Sequence, residues 1–180
     1  MHKDAHIDRM QSQSGFTLIE LMVALSITLL LIFLALPSFS QMLIRSEVSV
    51  AAMAIRSGLS LARSEAVKRG AHVQICSLSP LVTKCAGSVG VGRMSWDEGF
   101  MVFHDVDGDR VYNAVTDELL NVARFSESLD ISWGRGHYLI YVSSGRLMLG
   151  NSSFRINHPS YALERRLILN IVGRVRSIDI

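Results

Sequence analysis

The sequence predicts an α+β protein in which one long N-terminal helix packs against an antiparallel β-sheet head. An apolar run occupies residues 16–36, an apolar stripe with helical spacing follows at 48–66, and the later segments show short strand patterns. A helix followed only by strands favours α+β over an alternating α/β fold. We therefore divide the chain into a polar segment at 1–15, a transmembrane helix at 16–36, its amphipathic continuation at 37–69 and a β-rich head at 70–180.

Residues 16–36 have the composition and length of a membrane span. Seventeen of the 21 side chains are apolar, and at about 1.5 Å per residue the segment spans about 31 Å, close to the hydrocarbon core of about 30 Å. Lys3 and Arg9 precede it, which favours a cytoplasmic N-terminus and an exported head. No cleavage site of the A-x-A type follows Leu36, so removal as an ordinary signal peptide is not expected.

Glu20 places a carboxylate inside this apolar run. A charge at the centre of a membrane helix costs about 2.5–3.5 kcal/mol, and less near the helix end. The carboxylate therefore needs a cationic partner, or it must snorkel to the interface.

The residues that precede and include this carboxylate, GFTLIE at 15–20, resemble the processing site of type IV pilins and pseudopilins. The resemblance implies that prepilin peptidase cleaves between Gly15 and Phe16 and that Phe16 is then methylated. Glu20 becomes the fifth mature residue and Pro37 the twenty-second, as in the family. In a filament, the Phe16 amine of one subunit would then neutralise Glu20 of the next. Pro37 lacks a backbone donor and is expected to kink or locally melt the helix.

The helix is predicted to continue to about Arg69. Small and apolar residues recur every three or four positions and form one core-facing stripe: Val48, Ala52, Ile55, Leu59, Ala62 and Ala66. Gly70 follows as a C-terminal cap, after two cations that suit the helix dipole. Beyond it we predict seven strands, HVQIC, GFMVFH, YLIYV, RLML, SFRI, RLILNIV and VRSI, separated by Gly, Ser and Asn turn signals.

Cys76 and Cys85 lie in the part of the chain that is expected to be exported. An oxidising compartment favours a disulfide between them, which would contribute about 2–3 kcal/mol to stability. Two free thiols or two metal ligands are the less favoured alternatives.

The residues around and after the cysteines resemble the periplasmic domain of the FimT/GspH group of minor pilins and pseudopilins. The order that carries this resemblance continues with Trp96, Gly99-Phe100, Val102-Phe103, Asp105 and Asp117-Glu118.

Other patterns do not indicate catalysis, a cofactor or a metal site. Asp105, Asp107 and Asp109 alternate as in calcium loops, but Arg110 replaces the glycine at position six and Thr116 the glutamate at position twelve. An acidic turn is the favoured interpretation. GSVGVG at 87–92 has the wrong spacing for a dinucleotide site, and HExxH, GxSxG and CxxC are absent from the sequence. We expect no enzyme activity and no cofactor.

The C-terminal part of the chain is basic. Residues 131–180 carry a net charge of +5, although the whole chain carries only +2. Gly173 suits a tight turn between two strands, and the two-residue period of a strand puts Arg174 and Arg176 on one face. Two forked guanidiniums suit successive backbone phosphates and do not read bases. A solvated hairpin edge guarded by charges is the competing interpretation.

GRVR at 173–176 also resembles the GRxR motif of FimT-type minor pilins. The resemblance implies non-specific binding of double-stranded DNA for uptake in natural transformation. Arg155, Arg165 and Arg166 would widen this patch if they reach the same surface.

The chain is therefore interpreted as a minor type IV pilin. It would be held in the inner membrane with a periplasmic head and then assemble with other pilins into a pilus or pseudopilus. The alternatives are a GspH-like minor pseudopilin of a type II secretion system and a pilus-priming minor pilin without DNA binding.

Overall fold

The computed structural model describes residues 15–80, 84–87 and 91–180, apart from the side chains at 34–38. The chain forms two compact units, Met1–Gln41 and Met42–Ile180. The described residues contain one helix, α1 (Leu18–Arg69), and the strands β1 (Val73–Ser77), β2 (Met94–Ser95), β3 (Phe100–His104), β4 (Glu118–Ala123), β5 (Asp130–Trp133), β6 (Tyr138–Tyr141), β7 (Ser152–His158), β8 (Leu163–Leu169) and β9 (Val175–Asp179).

In the first unit, α1 begins after an N-terminal cap. Thr17 Oγ1 accepts a hydrogen bond from the backbone N–H of Glu20 at 3.3 Å, as expected of a threonine at this position. The helix is continuous through Pro37, so the local melting considered from the sequence is absent there.

Two expectations for this unit extend beyond the described part of the chain. Within the described residues, no helical stretch is both long and apolar enough to qualify as a membrane span. The predicted span 16–36 includes three positions, 34–36, whose side chains lie outside those described. Residues 1–14 of the polar segment that prepilin peptidase is expected to remove lie outside the described chain altogether.

In the second unit, α1 packs against two antiparallel sheets. The first has the strand order β4-β3-β1-β6 and the second the order β2-β5-β7-β8-β9. All six residues of the predicted apolar stripe are buried, with at most 3% of their surface exposed. They form one core with inward-facing residues of both sheets. The α+β prediction is confirmed, but the head contains two sheets where we expected one.

The end of the helix also agrees with the prediction. The last helical residue is Arg69, and Gly70 follows with a positive φ of 65°, the backbone conformation that glycine adopts most easily.

The strand predictions are partly right. β1, β3, β6, β7, β8 and β9 occur where strand patterns were identified, whereas β2, β4 and β5 were missed. In the edge strand β4, Leu119 and Val122 are exposed. The strand therefore lacks the alternation of buried apolar and exposed polar side chains by which a strand is identified from sequence. The RLML prediction is wrong: Leu147 forms only an isolated bridge with Tyr141, because the segment lies between positive-φ glycines at 145 and 150.

The expected disulfide joins Cys76 and Cys85, whose Cα atoms are 5.5 Å apart. Cys76 is fully buried and belongs to a second, smaller apolar cluster with Leu78, Met101 and Phe103. Because Cys76 lies in β1 while Cys85 lies beyond it, the bond fixes the segment after β1 to the sheet.

The close contact between α1 and the first sheet predicts how a larger residue at Gly58 changes the stability of the fold. A Cβ atom added to Gly58 would lie 2.3 Å from Cε2 of the buried Phe100 ring. At a helical site with free space, replacing glycine by alanine stabilises the folded protein by about 1 kcal/mol. Where the added atom overpacks a core, the folded protein is destabilised by about 1–3 kcal/mol. We expect Gly58→Ala to lower the free energy of unfolding by about 1 kcal/mol.

This prediction is checked by urea unfolding of the full-length chain in non-ionic detergent, followed by the fluorescence of the buried Trp96 and Trp133. Ser57→Ala is the matched control, since Ser57 is exposed on the same helical turn. A stability gain in Gly58→Ala would contradict the close packing described above.

Candidate functional site

The GRVR residues begin in a tight turn between β8 and β9. The backbone N–H of Gly173 donates to Asn170 O at 2.8 Å, and Asn170 N–H donates to Arg174 O at 3.1 Å. Asn170 Oδ1 also accepts from the Arg174 N–H at 2.8 Å. Gly173 has a φ of 79°, as expected for a turn glycine.

Position 173 also requires glycine because neighbouring atoms leave no room for a side chain. A Cβ atom there would lie 2.7 Å from Gly145 O and 2.9 Å from Tyr141 Cε1. Arg63 of α1 donates from Nη1 to Gly173 O at 3.3 Å, which ties the turn to the helix. Burial raises the pKa of Tyr141 to about 12, so its ring stays neutral beneath the turn. The sequence did not indicate the role of Arg63, because its partner is 110 residues away.

Arg174 and Arg176 are both exposed, and Val175 between them packs against the core. Successive side chains of a strand point to opposite faces, so the two arginines that flank Val175 project outward. Neither forms a salt bridge with a carboxylate in the part of the chain that the structure describes. Their guanidiniums are therefore available to an anion.

The structure places two of the three further arginines on the same face as Arg176. Arg155 and Arg166 lie opposite each other on β7 and β8, and both alternate with core residues. Arg165 points to the other side of β8 and donates from Nε to Asp179 Oδ1 at 2.5 Å. Arg155 and Arg166 therefore widen the basic face, whereas Arg165 does not.

A cavity of about 530 Å³ opens on this outer face of the five-stranded sheet. Arg93, Arg135 and Arg166 line it, together with Ser153 and Ile168. Sequence reasoning did not single out Arg93 or Arg135. They are 42 positions apart and belong to different segments, before β2 and after β5, so no spacing signal connects them.

The acidic loop after β3 has the contacts of a turn. Asp105 is only 7% exposed, and it accepts hydrogen bonds from the N–H groups of Gly108 at 2.9 Å and Arg110 at 3.2 Å. The side-chain amide of Gln74 also donates to Asp105. Burial raises the pKa of Asp105, and the two backbone donors oppose that rise. The Asp105, Asp107 and Asp109 carboxylates approach within 4.8 Å of one another, and these contacts fit the acidic turn favoured by the sequence.

Two family matches cover most of the chain. Residues 51–173 match the GspH family, described as type II transport protein GspH. Residues 10–36 match the prokaryotic N-terminal methylation motif, which includes the GFTLIE segment.

Solved structures with the same fold are minor pilins and a minor pseudopilin. The type IV minor pilin FimU of Pseudomonas aeruginosa PAO1 superposes with a TM-score of 0.53 at 18% identity, covering 72% of this chain and 91% of FimU. A second crystal form of FimU gives 0.52 at 19% identity, with coverages of 73% and 88%. The minor pseudopilin EpsH of the Vibrio cholerae type 2 secretion system gives 0.51 at 14% identity, with coverages of 73% and 96%.

These superpositions show a shared fold, a long N-terminal helix packed on an antiparallel β-sheet head. The family match supplies the relationship, because it extends over more than half of the sequence. The chain belongs to the GspH family of type IV minor pilins and pseudopilins.

Proposed function

We propose that this chain is a minor type IV pilin that binds double-stranded DNA non-specifically for uptake in natural transformation. The observation that carries the proposal is the exposed pair Arg174 and Arg176, held on a turn that Arg63 anchors to α1. Arg155 and Arg166 on the same face add further cations. Guanidinium groups suit phosphate oxygens, and contacts with phosphates give affinity without sequence preference.

We further propose that the N-terminal segment is processed and assembles as the methylation motif implies. Prepilin peptidase would cleave between Gly15 and Phe16, and helix 16–36 would hold the chain in the inner membrane with its head in the periplasm before filament entry. The side chain of Glu20 is exposed, and no cation in the described part of the chain forms a salt bridge with it. An intermolecular partner, the Phe16 amine of a neighbouring pilin, is consistent with this arrangement.

The proposed role is structural and binding, without catalysis or a cofactor. A GspH-like pseudopilin of a type II secretion system is the second candidate, favoured by the family description and by the likeness to EpsH. A pilus-priming minor pilin without DNA binding is the third candidate. DNA affinity separates the first candidate from both others.

The assembly proposal predicts that Glu20→Ala inserts into the membrane but enters filaments less than the wild type. The alanine removes the carboxylate that a neighbouring amine would neutralise, while it leaves the apolar helix intact. The measurement is the amount of each variant in sheared filaments relative to the membrane fraction. Intact mass provides the control, since both variants should begin at Phe16. Equal incorporation of the two variants would contradict the pairing and favour snorkelling of Glu20.

The DNA proposal predicts a specific salt dependence. On duplex DNA, each neutralised phosphate contributes about −0.9 to the slope of log affinity against log salt concentration. Replacing Arg174 and Arg176 together with Gln should therefore flatten the slope by about 2 and weaken binding equally for unrelated sequences. Fluorescence anisotropy of labelled duplexes with the full-length chain in non-ionic detergent, at several salt concentrations, measures this change.

Arg56→Gln combined with Arg124→Gln is the matched control, because it removes the same charge from two exposed positions outside the GRVR turn. Circular dichroism checks that all variants fold. A slope that is unchanged in the Arg174 and Arg176 variant would remove GRVR from the site. Absence of DNA binding by the wild type would favour the pseudopilin and pilus-priming candidates.

A further inference from the structure

The cavity on the outer face of the five-stranded sheet concentrates like charges. Arg155 and Arg166 face each other across β7 and β8, an arrangement that is destabilising for two cations. They share one carboxylate: Arg166 hydrogen-bonds to Glu164, and Arg155 Nε lies 3.9 Å from Glu164 Oε1. Arg155 Nε is buried and has no hydrogen-bond acceptor among the described residues. Positive charge is thus left in excess.

Arg93 adds a third cation to this group. Burial, together with the nearby Arg155 and Arg166, lowers its pKa, although an arginine remains charged at neutral pH. Its Nη1 atom donates to Ser132 O at 3.3 Å and to Ser153 O at 3.4 Å, so the guanidinium is fixed against the sheet.

Arg135 also lines the cavity and is held by a hydrogen bond. Its Nε atom donates to Asn151 O at 2.9 Å. Gly134 lines the cavity too, and a Cβ atom there would lie 3.3 Å from Arg93 Nη2 and 2.5 Å from Ser152 Oγ. Two anchored guanidiniums beside an open volume form a preorganised site for an anion.

One lining residue of the cavity pairs with the GRVR motif across β8 and β9. Ile168 lines the cavity and lies directly opposite Arg176 on β9. Side chains paired in this way are about 4.5–5.5 Å apart at Cβ. Arg176 is therefore at the border of the cavity, on the same face as Arg166.

We propose that this cavity binds a phosphate group of the DNA backbone, so that Arg93 and Arg135 continue the contact that Arg176 begins. This inference rests on the proposed DNA binding and names the part of the molecule that receives the strand. The planar fork of arginine matches phosphate oxygens. The described lining residues include no aromatic side chain on which an unpaired base would stack, which favours the backbone of a duplex over single-stranded bases.

The first test is a titration of the full-length wild-type chain in non-ionic detergent with inorganic phosphate. NMR signals of the side-chain Nε–H groups report on Arg93 and Arg135, with sodium chloride at equal ionic strength as the control. We expect saturable shifts of both signals with phosphate only, and the same shifts in the Arg56→Gln, Arg124→Gln variant. Non-saturating shifts that match those in chloride would overturn the phosphate site, whether or not the chain binds DNA.

The second test is the salt dependence of DNA binding by Arg93→Gln combined with Arg135→Gln. Because the cavity is proposed to hold one phosphate, we expect a slope flatter by about 1 than that of the wild type, and a smaller change in the Arg56→Gln, Arg124→Gln control. If this variant keeps the wild-type slope while the GRVR variant loses about 2, the cavity proposal fails and the proposed function stands. If the wild type does not bind DNA, the proposed function fails, and with it the assignment of the phosphate to DNA.

Discussion

Gly58 of α1 lies against the ring of Phe100, and the arrangement of the head depends on this close approach between helix and sheet. The buried face of the helix is rich in alanine, so the backbone of α1 can come near both sheets at once. Residues of both sheets then join the helix in the larger of the two apolar cores. The inner face of the five-stranded sheet packs in this core, and Arg155, Arg166 and Arg176 lie on its outer face.

This constraint connects the core to the candidate site. Arg63 is on the same helix and holds the turn that ends at Arg174. Along β7, β8 and β9, successive side chains point to opposite faces of the sheet. The apolar neighbours of Arg155, Arg166 and Arg176 in the sequence pack against the core, so these three arginines point outward. The acidic residues follow β3 in the four-stranded sheet, whereas these arginines belong to the five-stranded sheet.

Local signals in the sequence predicted the parts of the fold that depend on neighbouring residues. The apolar stripe, the cap at Gly70 and the disulfide between Cys76 and Cys85 are of this kind. β4 was missed because an edge strand with exposed Leu119 has no clear alternation. The cavity was not predictable either, since Arg93 and Arg135 come together only through the pairing of β2, β5 and β7. Register between distant strands is set by the packed core, and a single sequence does not display it.

We propose that the outer face of the five-stranded sheet receives DNA while the helix-facing side stays in the core. Chemical-shift mapping of the full-length chain in detergent with a short duplex tests it most directly. We expect the perturbed signals to cluster at five arginines, and the perturbations to become smaller as the salt concentration increases: Arg93, Arg135, Arg166, Arg174 and Arg176. Perturbations centred on the acidic loop at 105–117 or on the exposed side of α1, or none at any accessible salt concentration, would contradict it.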